Sequence, residues 1–503
     1  MNQRKAGIFL SYLNTLLHAI MGFVYVPLLL HYIGESQYGL YQLVGSLIAY
    51  FSIMDFGLTV SVTRFYSKYK ALKEAKNMAN ILAIALRGYL KVTAFIIFIG
   101  LVCYNFLDLI FSYSMTLTEI EDAKNIFLLL LLNIAITLST MIFRAVINSY
   151  ERFVFLKGLE TLQLILQPIL VILVLQKYPT AFSVALVQTS LNILLVLLRI
   201  YYCFAKLHIR IHLYAYDKKV IKEFRRLSSN VFIESIVDQI FWKTNQIILG
   251  IIKGTLSVAV YSIASLIYMN YMALSTAISG VYLPYVTELI NKDKNMRKVS
   301  ELFIQIGRWQ YYLLAFALSG FIIFGRRFII IWAGPNFTEA YWITLIIIIP
   351  FTIDLIQNIG LSILQAMNMY AFRARMYCAI GIINLCLAIP LGYKFGGIGC
   401  AAATGFTMFL GNGLAMNWYY SKVIKLDITS FWHQIGKISL VVIGCLIPGY
   451  LINRYVYPDG GIIVFGLKIL GYTIMYISAI YLMAMNQTEK NKINQILMKF
   501  RIS

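Results

Sequence analysis

Asn133, Thr137, Thr140, Arg144 and Asn148 recur at three- and four-residue spacing inside an otherwise apolar run. On a helix that spacing places all five on one face. Similar polar stripes recur elsewhere. Asn14 and His18 share a face, Arg87 and Lys91 lie one turn apart, and Glu160, Gln163 and Gln167 line up just before Pro168. Ionisable groups inside apolar helices are costly, and they commonly face a bundle interior or an aqueous cavity. The first part of the chain therefore carries a net cationic set, suited to stabilising an anion in a region of low dielectric. Later stripes are more acidic. Glu234, Asp238 and Asn245 share a face beside Trp242, whereas Lys243 lies alongside Gln239 and Gln246. Asp354, Gln357, Asn358, Ser362 and Gln365 form another stripe after Pro350. Each has a plainer reading. Arg87 and Lys91 sit where they can snorkel to headgroups. Lys243 and Asp354 suit a structural ion pair as well as a transport role, and His18 suits a satisfied interior histidine.

Catalytic signatures are absent. The sequence has no HExxH, no Walker A loop, no GxSxG and no Cys/His cluster at metal spacing. The five histidines are scattered, and the six cysteines lie in apolar stretches without a CxxC pair. No metal, cofactor or catalytic residue is expected. With no ATP-binding element, energy for any transport must come from an ion, potential or substrate gradient.

The elements that carry these residues are set by composition. Hydrophobic residues make up 60% of the 503 and charged residues 13%, against about 45–50% and about 25% in soluble domains. The chain reads as an all-α polytopic membrane protein with about fourteen spanning helices. Its first apolar run is too long, and lacks a small-residue cleavage site, for a removed signal peptide. With the N-terminus inside, 29 of the 43 Lys and Arg fall in cytoplasmic segments, seven outside and seven within spans. That positive-inside bias places both termini in the cytoplasm. It also assigns the net charge of +22 to anionic lipid headgroups rather than to nucleic acid.

Outside loops are short, the longest around 111–124 with Glu119, Glu121 and Asp122, so none is large enough for a soluble catalytic domain. Tyr41 and Ser46-Leu47-Ile48 recur as Tyr261 and Ser265-Leu266-Ile267, and Arg87 recurs near Arg308, at an offset of about 220 residues. The offset predicts two six-helix lobes in parallel pseudo-repeat. These are 1–205 and 231–425, joined by a basic cytoplasmic linker at 206–230 and followed by two extra helices and a tail at 426–503. The many tyrosines are read as interfacial or packing residues; Tyr268 and Tyr271 could also stack on sugars.

The stretch HYIGESQYGLYQLVGSLIAYFSIMDFGLTVSVTRFYSKY (31–69) carries Gly34, Tyr38, Gly39, Asp55, Gly57 and Arg64 in a recognisable order. Together with Tyr261-Ser-Ile-Ala, Ile331-Trp-Ala-Gly and Gly396-Gly-Ile-Gly-Cys-Ala-Ala-Ala-Thr, it resembles polysaccharide flippases of the Wzx type over nearly the whole chain. The resemblance implies the multidrug/oligosaccharidyl-lipid/polysaccharide exporter fold. It also implies export of undecaprenyl-pyrophosphate-linked oligosaccharide across a bacterial inner membrane for O-antigen, capsule or exopolysaccharide assembly, beside a glycan polymerase and glycosyltransferases. On that reading Arg87, Lys91 and Arg144 hold the pyrophosphate, and His18, Asn133, Thr137, Lys243 and Asn358 add polar cavity surface. Asp238 and Asp354 are candidates for ion coupling. One departure stands out: relatives often carry Asp just before the Ile-Leu-Gly segment, where this chain has Asn245. The competing readings are an ion-coupled multidrug/cation antiporter of the same superfamily, which predicts an anionic cavity, a polytopic glycan polymerase or glycosyltransferase, and a scaffold for glycan assembly.

Overall fold

A computed structural model describes residues 3–55, 58–214, 236, 238–279, 282–293, 295–457 and 460–502, and they are helical with no strand among them. Most of the linker at 215–230, together with Gly57 and Glu234, lies outside the described residues. The helices are α1 (Gln3–Ser52), α2 (Leu58–Ala71), α3 (Ala75–Phe111), α4 (Leu117–Ser149), α5 (Phe153–Leu175) and α6 (Ala181–Ala205). A helix over 238–253 is α7. It is followed by α8 (Thr255–Ser279), α9 (Leu283–Asp293), α10 (Met296–Trp332), α11 (Glu339–Leu355), α12 (Ile359–Ala366) and α13 (Ala371–Met408). The last are α14 (Met416–Tyr419), α15 (Ile428–Tyr455), α16 (Ile462–Ala479) and α17 (Gln487–Ile502).

Among the described residues, eleven helical runs are long and apolar enough to cross a membrane. Two of them, Phe9–Ala71 and Ala371–Ile424, have 63 and 54 residues, well beyond the roughly 20 that one crossing needs. Each is broken by a glycine in a backbone conformation that L-residues rarely adopt: Gly34 (φ 76°) and Gly396 (φ 60°). Cut there, each run becomes two segments of spanning length. Large apolar side chains such as Phe98, Leu109, Leu173, Leu197 and Leu440 are exposed along the helix flanks, as helices bathed in hydrocarbon require.

The chain divides into two compact units, 1–262 with 385–400, and 263–384 with 401–503. In the first, α2, α3 and α4 pack around a core that includes Val62, Tyr66, Ala85, Tyr89, Ile142 and Val146. The kink at Gly34 is secured by polar contacts. Ser36 Oγ donates to Glu119 Oε1 at 2.5 Å, and Thr255 Oγ1 donates to the same oxygen at 2.9 Å. Gln37 Nε2 donates to Asp122 Oδ2 at 2.8 Å, while Gln37 Oε1 accepts from the Ala181 N–H. Glu119 also closes a capping box with Thr116 at the start of α4. The acidic residues expected in an outside loop therefore belong to a helix start, because this capping box extends α4 back to Leu117. Gly39 completes the junction: a Cβ there would lie 1.9 Å from the Thr255 carbonyl oxygen, so only glycine admits that approach.

In the second unit, α10 is the central packing element. Arg308 binds Glu489 through two contacts of 2.7 Å, Nε to Oε1 and Nη2 to Oε2, and also donates to the Tyr312 hydroxyl at 2.6 Å. Glu489 caps its own helix, accepting from the Asn486 N–H at 2.9 Å while Asn486 Oδ1 accepts from the Glu489 N–H. The C-terminal α17 is thus pinned to α10. Beyond α13 the helix continues through π-helical turns at Phe409–Ala415 and Tyr420–Ile424. Asn417, between them, donates to the carbonyls of Asn412 and Gly413 that the wider turn exposes.

Candidate functional site

The first unit holds an open cavity of about 410 Å³, within the 300–1,000 Å³ range of small-ligand sites. Its wall comes from the second half of α1 (Tyr41, Gln42, Ser46), from α4 (Asn133, Thr137), from α5 (Gln163), from α6 (Gln188, Asn192) and from α7 (Lys243). Asn192 Nδ2 donates to Asn133 Oδ1 at 2.5 Å and to Thr137 Oγ1 at 2.7 Å. The Tyr41 hydroxyl donates to Gln188 Oε1, and Ser46 donates to Gln246, whose Nε2 donates to Ser262 at 2.9 Å. Its polar lining is amide and hydroxyl with one cation and, among the described residues, no carboxylate, interleaved with apolar Ile48, Leu130 and Ile134. Such a wall offers paired donors and acceptors to a polyhydroxyl ligand, and its charge favours an anion.

A charged cluster continues the same helix faces. Seven residues, about two turns, separate Thr137 from Arg144 on α4 and Asn192 from Arg199 on α6. On α5, Glu160 lies one turn before Gln163. Arg144 Nη2 donates to Glu160 Oε1 at 2.8 Å, and Lys157 Nζ donates to Glu160 Oε2 at 2.7 Å. Arg199 lies within electrostatic range of both Arg144 and Glu160, and its Nε is buried without a hydrogen-bond partner among the described residues. Asn14 ties α1 to this end: it donates to the Lys157 carbonyl at 3.0 Å and accepts from Thr161 at 2.5 Å.

Of the residues singled out from the sequence, Asn133, Thr137 and Lys243 meet at the cavity, and Arg144 joins the cluster beyond it. Arg87 and Lys91 are exposed on α3, and His18 is exposed on α1; none lines the cavity. Asp238 is exposed at the start of α7. In the second unit, Asp354 pairs with Arg373 at 3.4 Å, and Asn358 Nδ2 donates to Ser275 Oγ at 3.3 Å. Tyr268 and Tyr271 are buried, with Tyr271 bonded to Thr352 at 2.6 Å, so neither presents a stacking face. The sequence reading passed over Gln188, Asn192 and Arg199. Their four- and seven-residue spacing on α6 was the available signal. Among the described residues no cluster of His, Cys, Asp and Glu could hold a metal ion.

Residues 5–290 match the family described as polysaccharide biosynthesis protein. That is more than half of the chain, and the chain belongs to this family. A protein of Haloferax volcanii described as a probable flippase, AglR, is 28% identical over 174 residues. The match spans 34% of this chain and 36% of that relative's length. A structure of the lipid II flippase MurJ in an inward closed conformation superposes with a TM-score of 0.74 at 18% identity, covering 94% of this chain and 98% of that one. An inward-facing multidrug resistance MATE family transporter of the MOP superfamily gives 0.63 at 12% identity, covering 84% and 96%. These likenesses establish a MurJ/MATE-like fold in a multi-pass membrane protein.

Proposed function

We propose that this member of the polysaccharide biosynthesis protein family moves a lipid-linked oligosaccharide diphosphate across a membrane. The observation that carries the reading is the cavity with amides, hydroxyls and Lys243 in its wall, and the Arg144–Lys157–Arg199 cluster beyond it on α4, α5 and α6. The cavity suits sugar hydroxyls, and the cations lower the cost of bringing a diphosphate into a low-dielectric zone. The lipid tail stays in the bilayer while the head group crosses by alternating access. By the resemblance to Wzx-type flippases, the carrier lipid is undecaprenyl, the membrane a bacterial inner membrane and the product O-antigen, capsule or exopolysaccharide; the positive-inside bias puts both termini in the cytoplasm. A glycan polymerase and glycosyltransferases would act alongside. A drug/cation antiporter would need an anionic cavity, and among the described residues this wall has no carboxylate.

The test uses vesicles holding the purified protein and a fluorescent undecaprenyl-diphosphate oligosaccharide. Protein-dependent access of inner-leaflet lipid to a membrane-impermeant quencher is expected. No movement above protein-free vesicles, with proton- or sodium-driven uptake of an organic cation instead, would replace this reading with the antiporter.

A further inference from the structure

We propose that Glu160 is a resident counter-anion, occupying a three-cation diphosphate receptor built from Arg144, Lys157 and Arg199, and that the substrate's diphosphate displaces it. The carboxylate uses both oxygens, one on Arg144 at 2.8 Å and one on Lys157 at 2.7 Å. A diphosphate presents the same arrangement of acceptors with more charge. The third cation, Arg199, is the independent sign that one carboxylate does not fill the receptor. Its Nε is a buried donor with no acceptor among the described residues, an arrangement that native structures normally avoid. The receptor is also reachable. The side chains of Arg144, Lys157 and Glu160 keep 43%, 30% and 25% of their exposure, unlike the Arg308–Glu489 pair at 8% and 2%, which is sealed and structural. Glu160 therefore lowers the affinity of the empty receptor for stray anions while holding its cations in place. It has room to swing aside, since its side chain keeps 25% of its exposure. The inference rests on the proposed function for the origin of the diphosphate in a lipid head group; the receptor itself stands on the geometry.

The test measures binding of inorganic pyrophosphate and of farnesyl diphosphate to the full-length protein in neutral detergent by calorimetry. Glu160→Gln is expected to bind pyrophosphate about tenfold tighter than the wild type, and Arg199→Ala in that background is expected to lose the gain. Arg199→Ala alone breaks no ion pair among the described residues, so it is expected to keep the wild-type melting temperature while weakening pyrophosphate binding about tenfold. Equal or weaker binding by a folded Glu160→Gln protein, or unchanged binding by Arg199→Ala, would overturn the proposal. Tighter binding of farnesyl diphosphate than of pyrophosphate by Glu160→Gln assigns the receptor to a lipid head group, and equal binding assigns it to the free anion. Tightened pyrophosphate binding without movement of lipid-linked oligosaccharide in vesicles would leave the receptor standing and remove the export reading. Movement of that lipid with no effect of Glu160→Gln on binding would do the reverse.

Discussion

Neutralising Glu489 should loosen the C-terminal helix from the rest of its unit. The Arg308–Glu489 pair is bidentate, with side chains 8% and 2% exposed, so Glu489→Gln leaves a guanidinium stranded among Tyr312, Gln434 and the Ala484 carbonyl. Removing one member of such a buried pair costs about 3–5 kcal/mol, because the remaining charge is uncompensated. The glutamine keeps the capping role, since Gln also serves in a capping box, so the loss reports the charge and not the cap. The second unit has about 225 residues, a size at which 1 kcal/mol shifts the melting temperature by about 2–4 °C. Glu489→Gln is therefore expected to melt roughly 6–20 °C below the wild type, followed by fluorescence in detergent. The double variant Arg308→Met/Glu489→Leu is expected to recover most of that loss, because a buried ion pair replaced by apolar groups of similar volume is often neutral or stabilising. A Glu489→Gln protein melting within 2 °C of the wild type would refute the reasoning.

The same carboxyl gives a pH dependence. Burial pushes Glu489 up, but hydrogen bonds from Arg308, the Asn486 N–H and Tyr312 outweigh it and hold the carboxyl below the usual range. A group depressed in the folded state stabilises fully above its unfolded value, about 4.3, and loses that contribution as pH falls through its folded value. The melting difference between wild type and Glu489→Gln should thus stay flat from pH 8 to about 5 and shrink below about 4. Gly39→Ala should destabilise by about 1–3 kcal/mol or more through its clash with the Thr255 carbonyl, whereas Gly88→Ala, with open space at its Cβ, should stay within about 0.5 kcal/mol; equal melting of the two would remove the close-approach argument. Lys243→Met should slow lipid-linked oligosaccharide movement roughly 5–30-fold, from about 1–2 kcal/mol left after solvent screens a pair worth about 4 kcal/mol at 4 Å. Lys243→Arg should retain most activity, and a Lys243→Met rate within twofold of wild type would remove the lysine from the transport path.

Helix identity was legible because twenty-residue apolar runs leave little choice of secondary structure. The α4 stripe was legible for a related reason: Asn133, Thr137 and Arg144 hold a 3.6-residue period that survives folding intact. The α6 stripe has the same period but was hidden, since Gln188 and Asn192 are spaced among leucines and only Arg199 is charged. What could not be read was which polar groups satisfy one another. Asp354 and Lys243 look alike in sequence as lone charges in apolar runs, yet Asp354 finds Arg373 from the start of α13 while Lys243 opens on the cavity. Arg87 and Arg308 look alike in sequence, each an arginine at an offset of about 220 residues from the other. Arg308 is buried against Glu489 of α17; Arg87 is left exposed.

The π turns after α13 have a consequence for how the helix keeps its phase. Each wide turn stores one residue beyond the α-helical count, advancing every later side chain by about 100° around the axis. That advance lets Asn417 accept from Gln357 at 2.8 Å and from Trp432 at 2.8 Å while its own amide closes the loosened carbonyls behind it. The segment works like a vernier: insertions or deletions of one residue at 409–415 can be absorbed without moving either end of the span, at the cost of re-aiming everything between.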